Sequence, residues 1–185
     1  MPIVKLLNYL FTGIRRYPGR TVRDNRRMPQ RTAPDETPAG HLSEAGLQGI
    51  LGYQIAQAQL STLDVFQQRI GKPHDLRPVE FTILALVHHN PGVSARQLAR
   101  ALAVTPPNLT NWLERLERRG LVSRERSETD RRTQHVSTTS KGAKIARTAA
   151  ESVIEGERAT FDHLSPAERA LLLELLHKVA SRRPR

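Results

Sequence analysis

The chain has 185 residues, no cysteine and a formal net charge of +11 at pH 7. This length favours one domain with room for a tail, and the lack of cysteine excludes disulfides, thiolate zinc sites and cysteine nucleophiles. A protein without disulfides fits the cytoplasm, which is the expected location. No apolar run approaches the ~20 residues of a membrane span, so no membrane partner is expected.

Positive charge is concentrated in two parts of the chain. Residues 1–41 carry 8 basic and 3 acidic side chains, and residues 92–142 carry 10 basic and 5 acidic ones. Most of these cations are arginines, whose guanidinium groups make bidentate contacts with phosphates and bases. Such blocks indicate a polyanionic partner, most often nucleic acid. A solvated basic surface is the alternative.

The first 41 residues predict a disordered basic tail. Residues 15–41 are rich in Arg, Pro and Gly and poor in core residues, and residues 1–14 form at most a short amphipathic helix. Residues 1–27 belong to no evident element. Translation of the natural protein from Met28 is therefore a hypothesis, which an intact mass beginning at Met1 or Pro2 would contradict.

Hydrophobic periodicity predicts a long first helix and an apolar second one. Ser43 opens the first helix, apolar residues recur at steps of three and four as far as Ile70, and Gly71 with Pro73 ends it. Pro78 then occupies a position at which a first helical turn tolerates proline. The segment VEFTILALVHH forms the second helix, which NPG terminates.

Two short helices follow, joined by AVTP. Ser94 begins the third helix and has capping-box spacing to Gln97. Thr105 begins the fourth helix, and Gly120 is placed to cap its end. The predicted buried side of the fourth helix consists of Leu109, Trp112, Leu113 and Leu116.

The rest of the chain predicts a β-hairpin and two further helices. The segments LVSRE and QHVST are short, β-branched and partly alternating, as hairpin strands are. Thr139 or Ser140 caps a fifth helix that runs to about His163. Ser165 and Glu168 have capping-box spacing at the start of the sixth. This last helix contains ALLLELLHKVA and is more apolar than the surface of a lone small domain needs.

The helix pair joined by AVTP has the dimensions of a helix-turn-helix, whose second helix enters the major groove by its N-terminal end. Ordinary helical packing is the alternative. The basic hairpin directly after it favours a winged helix with its tip beside the minor groove. The candidate DNA-binding residues are Ser94, Thr105, Pro106, Pro107, Asn108, Thr110, Asn111, Arg115, Arg124, Arg126, Asp130, Arg131 and Arg132.

Two details of this surface are predicted from spacing. Asp130 lies two residues before Arg132, so both side chains share a face of an extended strand and the carboxylate can hold the guanidinium in one direction. That pairing reduces the entropy lost when the arginine binds DNA. Near the end of the fourth helix, Arg118 and Arg119 beside Gly120 are interpreted as solvated charge.

These residues resemble a known family. DRRTQHVSTTSKG resembles the wing signature of the MarR family of bacterial transcription regulators, and LTNWLERLERRGLVSR resembles that family's recognition helix running into its wing. The resemblance covers about residues 43–180. Thr138 departs from the usual leucine, Arg77 from the usual hydroxyl cap, and Trp112 from the usual smaller aliphatic residue.

The resemblance implies a mainly α fold with a small β-hairpin wing. A MarR-type domain at 42–182 would contain a winged helix-turn-helix at about 76–138 and a helical dimerisation region at about 43–70 and 140–182. It implies a homodimer, and its function would be that of a ligand-responsive repressor that binds a pseudo-palindromic operator in double-stranded DNA. A DNA-coating module without sequence preference, or a protein-binding winged-helix module, is the alternative.

Small-molecule binding is expected only by this resemblance. Many relatives bind an aromatic or phenolic anion between the dimerisation and DNA-binding regions, here lined by the first, second and fifth helices. The candidate residues are Tyr53, Phe66, Arg69, His74 and His88. His88 and His89 are adjacent and lack the spacing of a metal pair on a helix. No nucleophile–base pair, phosphate-cradling glycine loop or metal-ligand run is present, so neither an enzyme nor a cofactor or metal is expected.

Overall fold

The computed structural model describes residues 36–37, 40–126 and 134–182. The predicted tail before residue 36 and the predicted wing tip lie outside these residues. Within them the fold is mainly α with one small sheet, as predicted. In chain order the elements are α1 (Leu51–Phe66, continued by a π-helical turn Gln67–Gly71 and a last turn Lys72–His74), α2 (Pro78–His89), β1 (Val93–Ser94), α3 (Ala95–Leu102), α4 (Pro106–Arg118), β2 (Val122–Arg126), β3 (Gln134–Thr138), α5 (Ser140–Thr160) and α6 (Pro166–Ser181).

Three predicted helix starts are confirmed by their capping hydrogen bonds. Ser94 Oγ accepts from the N–H of Gln97 at 3.2 Å, and Gln97 Oε1 accepts from the N–H of Ser94 at 3.0 Å. Ser165 and Glu168 cap each other in the same way at the start of α6. Thr139, rather than Ser140, caps α5. Each cap satisfies backbone donors that the first helical turn leaves without an acceptor.

The predicted bounds of the first helix are wrong at both ends. Ser43 does not begin it but forms an isolated β-bridge with Glu36, because the left-handed Gly46 (φ 82°) interrupts any helix between Ser43 and Leu51. The helix also continues past Gly71. It widens into a π-helical turn and ends only at Asp75, whose φ is 47°.

Pro73 does not stop the first helix, contrary to the prediction. It lies in the first positions of the last turn, Lys72–His74. Proline has no N–H to donate to the preceding turn, and it follows a widened turn in which the regular i to i−4 hydrogen bonding is already interrupted. The N–H of Lys72 bonds to the carbonyl of Gln67, five residues back, which is the signature of the widened turn.

The predicted hairpin is confirmed and gains a third strand. β3 pairs antiparallel with β2, in the register Val122 to Thr138, and also with β1, where Val93 lies opposite Val136. β1 has two residues and directly precedes α3. The sheet therefore ties the base of the wing to the start of the helix-turn-helix.

The core lies where α2, α4, the sheet and α5 meet. The predicted buried side of α4 is confirmed, since Leu109, Leu113 and Leu116 are 2% exposed or less and Trp112 is 8% exposed. α4 ends as predicted at Gly120, whose φ is 65°. The N–H groups of Gly120 and the residue after it bond back to carbonyls of the last helical turn, in the Schellman arrangement.

Gly142 allows α5 to cross closely over the turn that leads into the wing. A Cβ atom added at Gly142 would lie 1.9 Å from the carbonyl oxygen of Leu121. The obstacle is backbone, which cannot rotate away as a side chain does. The glycine of the wing signature is therefore required by the packing of α5 on this turn.

Large apolar side chains remain exposed on two parts of the fold. Every residue of α6 except the half-buried Arg169 is exposed, including leucines that are 39–62% exposed. A second set lies before and along α1 and consists of Leu42, Leu47, Ile50, Leu51, Ile55 and Leu60. None of the described helices has the length and hydropathy needed to cross a membrane.

Candidate DNA-binding surface

The start of α4 presents an exposed polar edge. Thr105, Pro106, Pro107, Thr110 and Asn111 are exposed, and Asn108 is half-buried. Thr105 makes no side-chain capping bond, whereas the hydroxyl of Thr110 donates to the carbonyl of Pro106 at 3.0 Å. Hydroxyl and amide groups that face solvent at a helix start can meet base edges or phosphates.

Arg96 and Arg100 extend this edge, and they were not among the predicted residues. They lie four residues apart on α3, on one helix face, and line an open groove with Pro106 and Thr110 of α4. Both are exposed, and neither has an ion pair within the described part of the chain. Their i, i+4 spacing inside the basic block was the sequence signal for them. Ser94, at the start of the same helix, is half-buried and engaged in its capping box.

Arg115 and Arg119, near the end of α4, point inward onto the junction between α1 and α2, whereas Arg118 is exposed. Arg115 Nε lies 3.0 Å from Glu80 Oε1, and Glu80 is completely buried. Arg119 donates to the carbonyls of His74 and Asp75, both at 2.6 Å. The interpretation of Arg119 as solvated charge is therefore wrong. Its partners lie more than 40 residues away in sequence, which spacing does not reveal.

Arg124 on β2 is also engaged within the protein. Its Nε donates to Glu117 Oε2 at 2.9 Å, and a second guanidinium nitrogen contacts the same oxygen. This hydrogen bond to Glu117 raises the pKa of Arg124 above its ordinary value. The ion pair joins α4 to the wing strand. Contacts of Arg115 and Arg124 with DNA stay predictions.

The predicted wing tip lies outside the described residues. Asp130, Arg131 and Arg132 belong to it, so the proposed pairing of Asp130 with Arg132 stays a prediction. Arg126 is the last residue of β2. The described base of the wing is anchored by His135, whose Nδ1 lies 2.8 Å from the carbonyl oxygen of Gly92.

The predicted effector residues lie on helices that pack together but have separate contacts. α5 contacts both α1 and α2. Phe66 is buried, with its ring 5.9 Å from that of Phe81, and His88 lies with its ring 5.1 Å from His89. Tyr53 donates to Glu44 at 2.8 Å, and this hydrogen bond raises the pKa of Tyr53. An effector site at these residues stays a prediction.

Arg69 and His74 complete that predicted set. Arg69 lies across Gly156 of α5, where an added Cβ would come within 2.8 Å of its Nε. His74 is half-buried, and its carbonyl accepts from Arg119. Within the described residues, no group of three or more His, Cys, Asp or Glu side chains is arranged to hold a metal ion.

Comparison with known proteins gives a consistent result. A family model described as MarR family matches residues 76–133. The transcriptional repressor CouR, solved bound to a 23-mer DNA duplex, is 33% identical, with a TM-score of 0.70 over 76% of this chain and 99% of that one. A Thauera aromatica protein described as a "putative transcriptional regulatory protein for hcr operon" is 27% identical over 149 residues, 80% of this chain and 90% of that protein.

A third relative shows the same fold at lower identity. The structure of BpsR from Bordetella bronchiseptica, whose DNA binding is regulated by 6-hydroxynicotinic acid, is 24% identical, with a TM-score of 0.66 over 74% of this chain and 97% of that one. The helix order, the three-stranded sheet and the level of identity to the repressor CouR agree with the family model. The chain belongs to the MarR family of DNA-binding, winged-helix transcriptional regulators.

Proposed function

We propose that this chain is a sequence-specific regulator that acts as a homodimer on a pseudo-palindromic operator. The observation that carries the proposal is the exposed edge at the start of α4, where Thr105, Thr110 and Asn111 face solvent beside the exposed Arg96 and Arg100. Hydroxyl and amide groups read base edges, while arginines contact phosphates. The edge is built on helices packed into the core, which holds its geometry.

Dimerisation is supported by the apolar surface that the single chain leaves uncovered. Leu171, Leu172, Leu175 and Leu176 of α6 are 39–53% exposed, and the apolar residues before and along α1 add to this surface. Burial of such surface contributes about 25 cal/mol per Å². A two-fold symmetric dimer places two copies of α4 about 34–36 Å apart, one turn of DNA. We assign dimerisation to residues 43–70 and 140–182.

Repression and effector response extend the proposal. CouR is a transcriptional repressor, and BpsR responds to 6-hydroxynicotinic acid. By analogy, a small aromatic or phenolic anion is the effector class that we propose here. Tyr53, Phe66, Arg69, His74 and His88 are its candidate contacts.

A binding competition tests the function. A duplex enriched from a random-sequence library by the full chain is labelled, and its complex is challenged with poly(dI-dC). A sequence-specific regulator keeps the enriched duplex in excess competitor, and its affinity falls steeply with salt because phosphate contacts release counterions. Equal displacement by both DNAs would instead identify a DNA-coating module.

A further inference from the structure

The two ends of α4 have different surroundings. The N-terminal end carries the exposed edge proposed to read DNA, and the C-terminal end is fastened to the junction of α1 and α2 by four charged side chains. We name this group the junction clamp; it consists of Asp75, Glu80, Arg115 and Arg119.

Arg119 caps the end of α1. Its two terminal nitrogens donate to the carbonyls of His74 and Asp75, each at 2.6 Å. Carbonyls at a helix C-terminus lack intrahelical partners and carry partial negative charge, so a cation is favoured there. The left-handed Asp75 (φ 47°) turns the chain at this point. Arg119 thus fixes the last turn of α4 against the last turn of α1.

Glu80 fastens the preceding turn. Its Oε2 accepts from the N–H of Arg77 at 2.9 Å, at the start of α2. Its Oε1 lies 3.0 Å from Arg115 Nε, and Arg115 Nη2 lies 3.4 Å from a carboxylate oxygen of Asp75. Glu80 is completely buried, and a buried carboxylate without its partner is strongly unfavourable. The ion pair therefore ties Arg115 to one place on α2.

These contacts constrain the tilt of α4. Arg115 and Arg119 lie one turn apart, so the clamp holds the helix at two points along its C-terminal half. A helix of 13 residues is about 20 Å long, so a small tilt at this end displaces the exposed edge at the other. Hydrogen bonds to base edges need side chains placed to within about 0.5 Å. Long arginine side chains that contact phosphates tolerate larger shifts.

We propose that Glu80, Arg115 and Arg119 are positioning residues, which set the orientation of α4 for base readout without contacting DNA. This role rests on the proposed function, since it concerns how specific DNA is recognised. It reverses the prediction for Arg115, which named that residue as a DNA contact. The residues that set specificity then include a buried glutamate on a different helix from the one that reads the bases.

The experiment compares four variants of the full chain, the fourth being Arg119→Lys. Arg119→Ala and Glu80→Gln break the clamp, and Arg118→Ala removes an equal charge from the adjacent, exposed position of the same helix. Each protein is titrated against the enriched duplex and against poly(dI-dC), over a range of salt concentrations. A stoichiometric titration gives the active fraction, and thermal unfolding reports folding.

A positioning role predicts a selective loss. Arg119→Ala and Glu80→Gln lower affinity for the enriched duplex about tenfold or more, leave affinity for poly(dI-dC) within about twofold, and keep the salt slope, because no phosphate contact is lost. Arg118→Ala leaves the ratio of the two affinities unchanged, since a phosphate contact would weaken both alike. Arg119→Lys keeps the positive charge but cannot donate to both carbonyls with the geometry of a guanidinium, so it gives an intermediate ratio. It replaces Arg119→Ala if that variant does not fold.

Three results would overturn the positioning role. One is a salt slope lowered by about one in Arg119→Ala, which identifies a phosphate contact. Another is an unchanged ratio of the affinities for the enriched duplex and poly(dI-dC) in folded Glu80→Gln and Arg119→Ala. Arg119→Lys replaces Arg119→Ala in this comparison if Arg119→Ala does not fold. That result would leave the clamp only a stabilising role. A wild-type chain that shows no preference for the enriched duplex removes the proposed function itself, and the positioning role with it.

Discussion

Helices α4 and α6 both begin with a proline-containing turn but have different surroundings. Both have proline in the first turn and similar lengths, 13 and 16 residues. α4 buries Leu109, Leu113 and Leu116 completely or nearly so, whereas Leu172 and Leu173 of α6 are 46% and 62% exposed. Because most helical stability in proteins comes from packing, α4 is stabilised by its own chain. α6 needs another surface, which we propose is a second copy.

The dependence of α6 on a partner is tested by placing charge on its apolar face. Leu172→Glu with Leu176→Glu buries two unpaired carboxylates in a dimer interface, which is strongly unfavourable. We expect a monomer in sedimentation velocity and loss of tight operator binding. His177→Glu, an exposed polar position on the same helix, is the control and should remain dimeric. A dimeric double variant would contradict the assignment of α6 to the interface.

Truncation of one leucine in α4 and one in α6 tests directly whether each helix is stabilised by its own chain or by a partner. Leu116→Ala leaves a cavity in the core and should lower the free energy of unfolding by about 2–5 kcal/mol, at any protein concentration. Leu173→Ala should act mainly on association, so its effect on thermal unfolding should depend on protein concentration. Calorimetry at several concentrations separates the two outcomes. Equal, concentration-independent losses would contradict the contrast.

The close crossing of α5 at Gly142 gives a prediction for the stability of the core, which the single chain packs by itself. Gly142→Ala drives a methyl group into the backbone carbonyl of Leu121, and we expect a loss of about 1–3 kcal/mol or more in chemical denaturation. Gly52→Ala is the matched control, because nothing lies within 4 Å of a Cβ at that helical position. A stable Gly142→Ala protein would mean that α5 does not cross the turn this closely.

The wing gives a prediction about affinity rather than folding. Arg132→Ala should weaken DNA binding by about 1–3 kcal/mol without changing the dimer or its thermal stability. Gel-shift titration measures the effect, and Lys141→Ala, outside the wing, provides a comparison of equal charge. Unchanged affinity would count against an arginine contact at the wing tip.

The smallest expected effect concerns the cap of α6. Hydrogen bonds from the hydroxyl and N–H of Ser165 lower the pKa of the exposed Glu168. The stabilisation of the helix start is therefore present above the ordinary carboxyl pKa and is lost as pH falls through the lower native value. NMR titration should show this lowered pKa, and Ser165→Ala should raise it towards the ordinary range. An unchanged titration in Ser165→Ala would contradict the capping role.

Local features were readable from the sequence because their partners lie a few residues apart. The caps at Ser94 and Ser165, the turn at Gly120, the buried stripe of α4 and the two wing strands all depend on contacts within one element or across one hairpin. Such contacts follow from residue type and spacing. The same local patterns carried the resemblance to the MarR family.

Only the tertiary structure decided where side chains find distant partners. The two-residue strand β1 forms because its backbone pairs with β3. Arg119 turns inward because the last carbonyls of α1 lie beside it. α6 has a clear cap and a rich apolar pattern, and the structure shows that its own chain leaves that pattern largely uncovered. Spacing fixes hydrogen bonds along a helix or a hairpin, whereas contacts over 40 or more residues depend on how the whole chain packs.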